Sequence, residues 1–179
     1  MDRRVRKTRK LLKEALVALM TEKDFRKITV TELTKKADIN RGTFYLHYFD
    51  IYDLLEEMEN EALDYIKKII EKYSNPVDYY KILINIIEYV KGKKTFFQQI
   101  FGENGDITFI NKLKQEMKKI FIRTNKDIPQ KGGIFQEAFA SFIVSGGMGV
   151  FQEWLEQNCE PPIHTLIYQF YDTFSKITI

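Results

Sequence analysis

The sequence predicts an all-α protein: an N-terminal three-helix head containing a helix-turn-helix, then a C-terminal helical bundle, about nine helices in all. Three observations predict it. Apolar residues recur every three or four positions along most of the chain, and no segment alternates with the period of two that a strand requires. Helix entry and exit signals punctuate that pattern at Thr29, Asn40, Asp50, Asn75-Pro76 and Pro161-Pro162. The 179 residues are 44% apolar with nine Gly and four Pro, enough for a packed core and too little Gly and Pro for a disordered or collagen-like chain.

The first helix spans 3–22, with Val5, Thr8, Leu12, Ala15, Leu16, Leu19 and Met20 along one side. Arg3, Arg4, Arg6, Lys7, Arg9, Lys10 and Lys13 crowd its first half. Positive charge there opposes the helix dipole, at a cost of about 0.3–1 kcal/mol per residue. Stability does not select these cations, whereas a phosphate backbone would, and Lys7 is a candidate contact. Residues 1–50 hold 13 Lys/Arg against 7 Asp/Glu, and residues 51–179 hold 15 against 18. The basic half is therefore the one expected to meet a polyanion. A polar link, 21–27, follows, with Phe25 packing back onto the first helix.

Thr29 stands three residues before Glu32, the capping-box spacing. Val30, Leu33 and Ala37 share a face of the helix it starts. Ala37-Asp38-Ile39 makes a tight turn, and Asn40 caps a second short helix from Arg41. Phe44, with Tyr48 or Phe49, supplies the buried side of that helix, while Arg41, Thr43, Tyr45 and His47 point outward. Two short helices at a steep angle with an outward polar face match a helix-turn-helix whose second helix enters the major groove.

Asp50 caps a long helix, 51–73, striped with Leu54, Leu55, Met58, Ala62, Tyr65, Ile66, Ile69 and Ile70. Its length of roughly 35 Å exceeds what a three-helix head needs. It divides the chain into a helix-turn-helix domain, 1–50, and a second domain, 51–179, and joins the two mechanically. Asn75 and Pro76 start the next helix, 76–91, which Gly92 stops. A short aromatic piece, 95–101, a Gly-rich turn and a helix at 106–123 follow, then a polar loop at 124–132. Helices at 134–157 and 162–176 complete the chain. Gly costs about 1 kcal/mol relative to Ala inside a helix, so Gly146, Gly147 and Gly149 indicate close packing at a dimer seam or a mobile segment.

Several chemistries are excluded. The single Cys159 allows no intrachain disulfide and fits a reducing cytoplasm. No run of about 18 uninterrupted apolar residues exists, so no membrane span is expected. His47 has no acidic or nucleophilic neighbour for a triad, and His47 and His164 are too isolated for a metal site. Ser145 to Gly149 lacks both the spacing of a phosphate loop and a preceding strand. The chain is expected not to be an enzyme and to carry neither cofactor nor metal. Tyr89, Phe96, Phe97, Phe109 and Phe139 are candidates to line an effector pocket, with core packing as the alternative for each. As a group they favour an apolar or aromatic small molecule over a sugar phosphate.

The run Thr29-Val30-Thr31-Glu32-Leu33, then Ala37 through Phe49, then Leu54-Leu55, resembles the TetR/AcrR family of bacterial transcriptional regulators. The segments 97–113 and 146–161 resemble the C-terminal domain of one Gram-positive branch of it. The resemblance implies an all-helical homodimer bound to a palindromic operator in double-stranded DNA, released by a small-molecule effector enclosed by helices 4 to 7. It assigns base contacts to Arg41, Gly42, Thr43 and Leu46, and phosphate contacts to Thr29, Thr31, Tyr45 and His47. It implies that the last two helices pair across the dimer, through Phe142, Gly146, Val150, Trp154, Leu166, Phe170 and Phe174. Many members carry a phosphate-binding Lys at the start of the fourth helix, where this chain has Ile51. The expected function is a ligand-responsive repressor. The alternatives are a non-specific DNA-architectural protein, or an all-α small-molecule-binding or enzymatic domain with an incidental helix-turn-helix.

Overall fold

A computed structural model of the chain describes residues 3–73, 78–102, 105–124, 133–166 and 168–169. Among these residues every regular element is helical: α1 (Arg3–Met20), a 3₁₀ turn (Phe25–Lys27), α2 (Val30–Ala37), α3 (Arg41–Tyr45), α4 (Ile51–Lys72), α5 (Tyr79–Gly92), α6 (Lys94–Phe101), α7 (Ile107–Thr124) and α8 (Gly133–Glu156). Residues 163–166 begin a further helix. The expected end of that helix, with Phe170 and Phe174, lies outside the described residues.

The head forms as its caps dictate. The Thr29 hydroxyl accepts from the Glu32 N–H, and the Glu32 carboxylate accepts from the Thr29 N–H at 2.9 Å. Asp38 takes the left-handed conformation (φ 53°), which a short polar side chain tolerates, and so turns the chain sharply. The Asn40 side chain then accepts from the Gly42 N–H at 2.7 Å to start α3. Leu12, Leu16, Leu33, Phe44 and Leu54 close the head's core with no measurable exposure. Tyr48 supplies the second buried aromatic, and Phe49, the alternative, points to solvent with 85% of its surface exposed. Asp50 caps α4 by accepting from the Asp53 N–H, and Asp53 accepts in return from the Phe49 N–H.

The body departs from expectation in its details. α5 starts at Tyr79, three residues later than expected, because the Asp78 carboxylate caps it by accepting from the Lys81 N–H at 3.0 Å. Asn75 and Pro76, the expected start, lie outside the described residues. The aromatic piece at 94–101 is a full helix with Phe96, Phe97, Ile100 and Phe101 buried. A side chain on Gly105 would overlap the Ile100 carbonyl oxygen, so the α6–α7 turn admits only glycine there. α8 packs on α6 and α7 through Ala140, Trp154 and Leu155. It is also long and apolar enough, by length and composition, to cross a membrane, a property that the search for an uninterrupted apolar run did not reveal. Much of its remaining apolar surface is open: Ile134, Phe135, Phe142 and Ile143 are all exposed. One continuous buried cluster runs from Leu12 in α1 through α4 and α6 to Trp154 and Ile163.

Candidate nucleic-acid interface and ligand cavity

The α2–turn–α3 unit presents one face outward. Arg41, Gly42, Tyr45 and Leu46 are exposed, and Thr43 and His47 are half-buried beside them. Leu46, immediately after α3, is 80% exposed. Arg41 and Tyr45, one helical turn apart, are paired. The guanidinium donates to the Tyr45 hydroxyl at 3.2 Å and lies 5.6 Å from the ring centre. The guanidinium is thereby held along the exposed face and keeps other N–H groups available. A side chain at Gly42 would press on the Asn40 cap oxygen at 3.2 Å, so glycine keeps both the cap and a bare helix start.

The expected phosphate contacts divide. Lys7 and Thr31 are exposed. Thr29 is also exposed, but its hydroxyl already serves the capping box, donating to Glu32 at 2.8 Å. Lys23, then the Thr29 hydroxyl and N–H, hold the Glu32 carboxyl down to about 2. Ile51 is 5% exposed and belongs to the head's core. The surface beside it is aromatic instead, with Phe49 and Tyr52 exposed and the Tyr52 ring edge-on to Phe25 at 5.0 Å.

Two of the α1 cations face inward. Arg9 and Lys13 pair with Glu57 of α4 at 3.0 and 2.6 Å, and Lys13 also reaches Glu61. The Tyr48 hydroxyl donates to Glu57 at 3.1 Å, and the Arg9 guanidinium lies over the Tyr48 ring. Burial pushes the Glu57 carboxyl up, but Lys13, Tyr48 and Arg9 outweigh it and leave the group below its ordinary range. Burial, then the facing Glu57, pushes the Tyr48 phenol up, so it remains a donor. This network ties α1, the end of the recognition unit and α4 together. The sequence shows it only as acidic residues on α4 opposite a basic helix.

Further along, the same α4 contributes Ile66 and Ile70 to an apolar cavity of about 550 Å³. The other walls come from α5 (Ile82, Leu83, Ile86, Val90), α6 (Phe97, Phe101), α7 (Leu113 to Thr124), α8 (Ile143 to Phe151) and Ile163. The volume falls within the range of small-molecule sites. Of the five expected pocket residues, only Phe97 lines it. Tyr89 stacks on Tyr65 at 3.9 Å, and Phe96 is buried against Phe97. Phe109 is wholly buried beside Phe101, and Phe139 stacks on exposed Phe135. The aromatics went mostly into the core, as large rings do, and aliphatic residues make the walls. α8 also closes a cavity expected from helices 4 to 7.

The expected dimer residues divide too. Phe142 and Gly146 are exposed, and side chains added at Gly146, Gly147 or Gly149 would meet nothing within 4 Å inside the protomer. Trp154 is instead a core residue, 1% exposed, whose indole N–H donates to the Pro161 carbonyl at 2.9 Å. Burial of that N–H demands such a partner, which removes Trp154 from any surface seam. Val150 faces the cavity, and Leu166 is partly buried against the core.

Comparison with known proteins decides the family. Residues 12–58 match the family described as bacterial regulatory proteins, tetR family, and residues 77–176, more than half of the chain, match one described as transcriptional regulator C-terminal region. The chain belongs to the TetR family of bacterial transcriptional regulators. Its head is therefore a DNA-binding module. Over 58 residues, 32% of this chain, it is 43% identical to an uncharacterised HTH-type transcriptional regulator, YxbF, of Bacillus subtilis (strain 168), and the matched stretch spans 15% of that relative. Two solved structures share the fold. The fatty acid degradation regulator FadR from Bacillus halodurans matches with a TM-score of 0.66 at 15% identity, over 90% of this chain and 91% of that one. The dihydroxyacetone kinase operon activator DhaS matches with a TM-score of 0.61 at 18% identity, over 84% and 85%.

Proposed function

We propose that this TetR-family regulator is a cytoplasmic homodimeric repressor that binds a palindromic operator and leaves it when an apolar effector fills the cavity. The observation that carries the reading is the double role of α4. Glu57 and Glu61 near its start hold the head's cations, and Ile66 and Ile70 two turns on line the cavity. A ligand that prefers one position of Ile66 and Ile70 biases the position of the head. In a dimer, two α3 helices need a separation of about 34–36 Å to enter successive major-groove faces, so a small swing of α4 suffices to lose one contact.

At the DNA, Arg41 reads a base, with Gly42 giving close approach and Thr43 and Leu46 adding contacts. Leu46 suits a thymine methyl group. Thr31, Tyr45, His47 and Lys7 contact phosphates and fix register, with Thr29 serving chiefly as the α2 cap. The dimer forms through the exposed side of α8, centred on Phe142 and Gly146, together with the last helix. This side has no partner among the described residues of the protomer, and its glycines leave room for close approach of a second copy. Residues 1–50 act as the DNA-binding domain and 51–179 as the effector and dimerisation domain. One structural neighbour, DhaS, is an operon activator, so the sign of regulation is tested separately. A reporter behind the selected operator should rise on deletion of the regulator, whereas a fall would make it an activator.

A further inference from the structure

The chemistry of the cavity wall restricts what can enter it. Aliphatic side chains such as Ile66, Ile86, Leu113, Met117, Val144 and Met148 make most of the lining. Among the described residues no charged side chain lines it, and its one hydroxyl, on Thr124, donates to the Ile120 carbonyl of its own helix at 2.9 Å. A ligand hydroxyl or amide seated inside, away from the Thr124 oxygen, would lose water without gaining a partner, a loss of roughly ten- to hundredfold in Kd per group. The lining extends along three helices: on α7 from Leu113 to Thr124, a rise of about 16 Å, and on α5 and α8 about 12 Å each. The lining phenylalanines pack on other rings, Phe101 edge-on to Phe151 at 5.2 Å and Phe97 edge-on to Tyr89 at 5.8 Å. The rest of the wall is aliphatic, mostly stiff Ile and Val, with Met117 and Met148 able to adjust to a chain's shape.

We infer that the effector is an amphiphile whose single unbranched aliphatic chain occupies this slot, with its polar head outside the walls. The inference rests on reading the cavity as the effector site and narrows what that site accepts. Contact with Ile66 and Ile70 gives the chain its hold on α4. A chain too short to reach them binds without moving the head.

Calorimetric titration of the full-length protein with straight-chain alcohols and the matching carboxylates, octyl to tetradecyl and below micelle-forming concentrations, tests this. Burial of each methylene should lower Kd about fourfold until the slot is full, with the same slope for both head groups. Gly147→Leu adds a side chain at the wall where a Cβ meets open space. It should shorten the chain of highest affinity while helicity by circular dichroism is retained. Val144→Phe should do the same from the adjacent position. A chain-length series with no slope, alongside saturable binding of a planar naphthol, overturns the chain assignment and leaves the cavity as an effector site. Carboxylates binding with no alcohol binding at any length also overturns it, because the head would then be recognised. No binding by either series or by the naphthol overturns both the chain assignment and the effector reading.

Discussion

Glu59 should destabilise this fold near neutral pH, and Glu59→Gln should relieve it. The side chain lies on α4, 5% exposed, and its Oε1 has no hydrogen-bond partner. Burial raises its pKa from 4.5 to about 8, the nearby Asp106 and Glu56 add to the rise, and Lys112 opposes it. At pH 7 the unfolded chain has lost this proton and the folded chain retains it. The raised group therefore contributes its full stability below pH 4.5 and loses it as the pH climbs toward 8. Each pH unit in that window removes about 1.4 kcal/mol, which comes to roughly 3 kcal/mol by pH 7. That is a sizeable fraction of a typical 5–15 kcal/mol. Glutamine is isosteric with the protonated acid and never ionises. Urea unfolding of both proteins, followed by circular dichroism between pH 4 and 8, isolates the effect as a difference, which cancels the opposite trend of carboxylates such as Glu57. The difference should be near zero at pH 4 and about 3 kcal/mol in favour of glutamine at pH 7. A difference that does not vary with pH, or a glutamine variant less stable at pH 7, would refute the reasoning and mean that Glu59 is ionised and partnered.

Tyr45→Phe should weaken binding to random DNA by about 1 kcal/mol and to the operator by more, because its hydroxyl also holds Arg41. Combined with Arg41→Ala in a gel-shift double-mutant cycle it should cost less than the sum, because the Tyr45 hydroxyl accepts from Arg41. Ile51→Lys should lower stability in urea unfolding by a few kcal/mol without tightening DNA binding, because Ile51 is buried in the head's core rather than facing a phosphate. Phe142→Asp should convert a dimer into a monomer of unchanged helicity in sedimentation velocity. A dimer that survives this substitution would place the interface elsewhere.

The head was legible in the sequence almost residue by residue, because local rules fix it. The Thr29–Glu32 box, the Asn40 and Asp50 caps and the outward face of α3 each depend on neighbours within four positions. The sequence left Tyr48 and Phe49 as alternatives, since either can follow Phe44 inward. Tertiary contact with Glu57 and Arg9 selects Tyr48. The body was less legible, because its site is made by five helices distant in sequence. Aromatic content pointed to Phe96, Phe109 and Tyr89 as pocket residues, yet ring stacking draws them into the core, and the aliphatic stripes of α5, α7 and α8 make the walls. The family resemblance made Trp154 an interface residue, as part of a helix expected to pair across the dimer. The need of its N–H for the Pro161 carbonyl takes it inside. Glu59 was invisible as a special position, and Ile51 stood out only as the absence of a phosphate-binding Lys, because burial of a single residue on an amphipathic helix depends on what packs across from it.

If α3 reads sequence through Arg41, selection of genomic fragments with the purified protein at near-physiological salt, repeated with Arg41→Ala, should separate the two proteins. The native protein should select a palindromic site. The variant should lose about 1–3 kcal/mol on that site, with relaxed preference at one symmetric base position and little change on random DNA. Uniform, salt-sensitive binding by both proteins, with equal losses on selected and random fragments, would contradict base reading by Arg41.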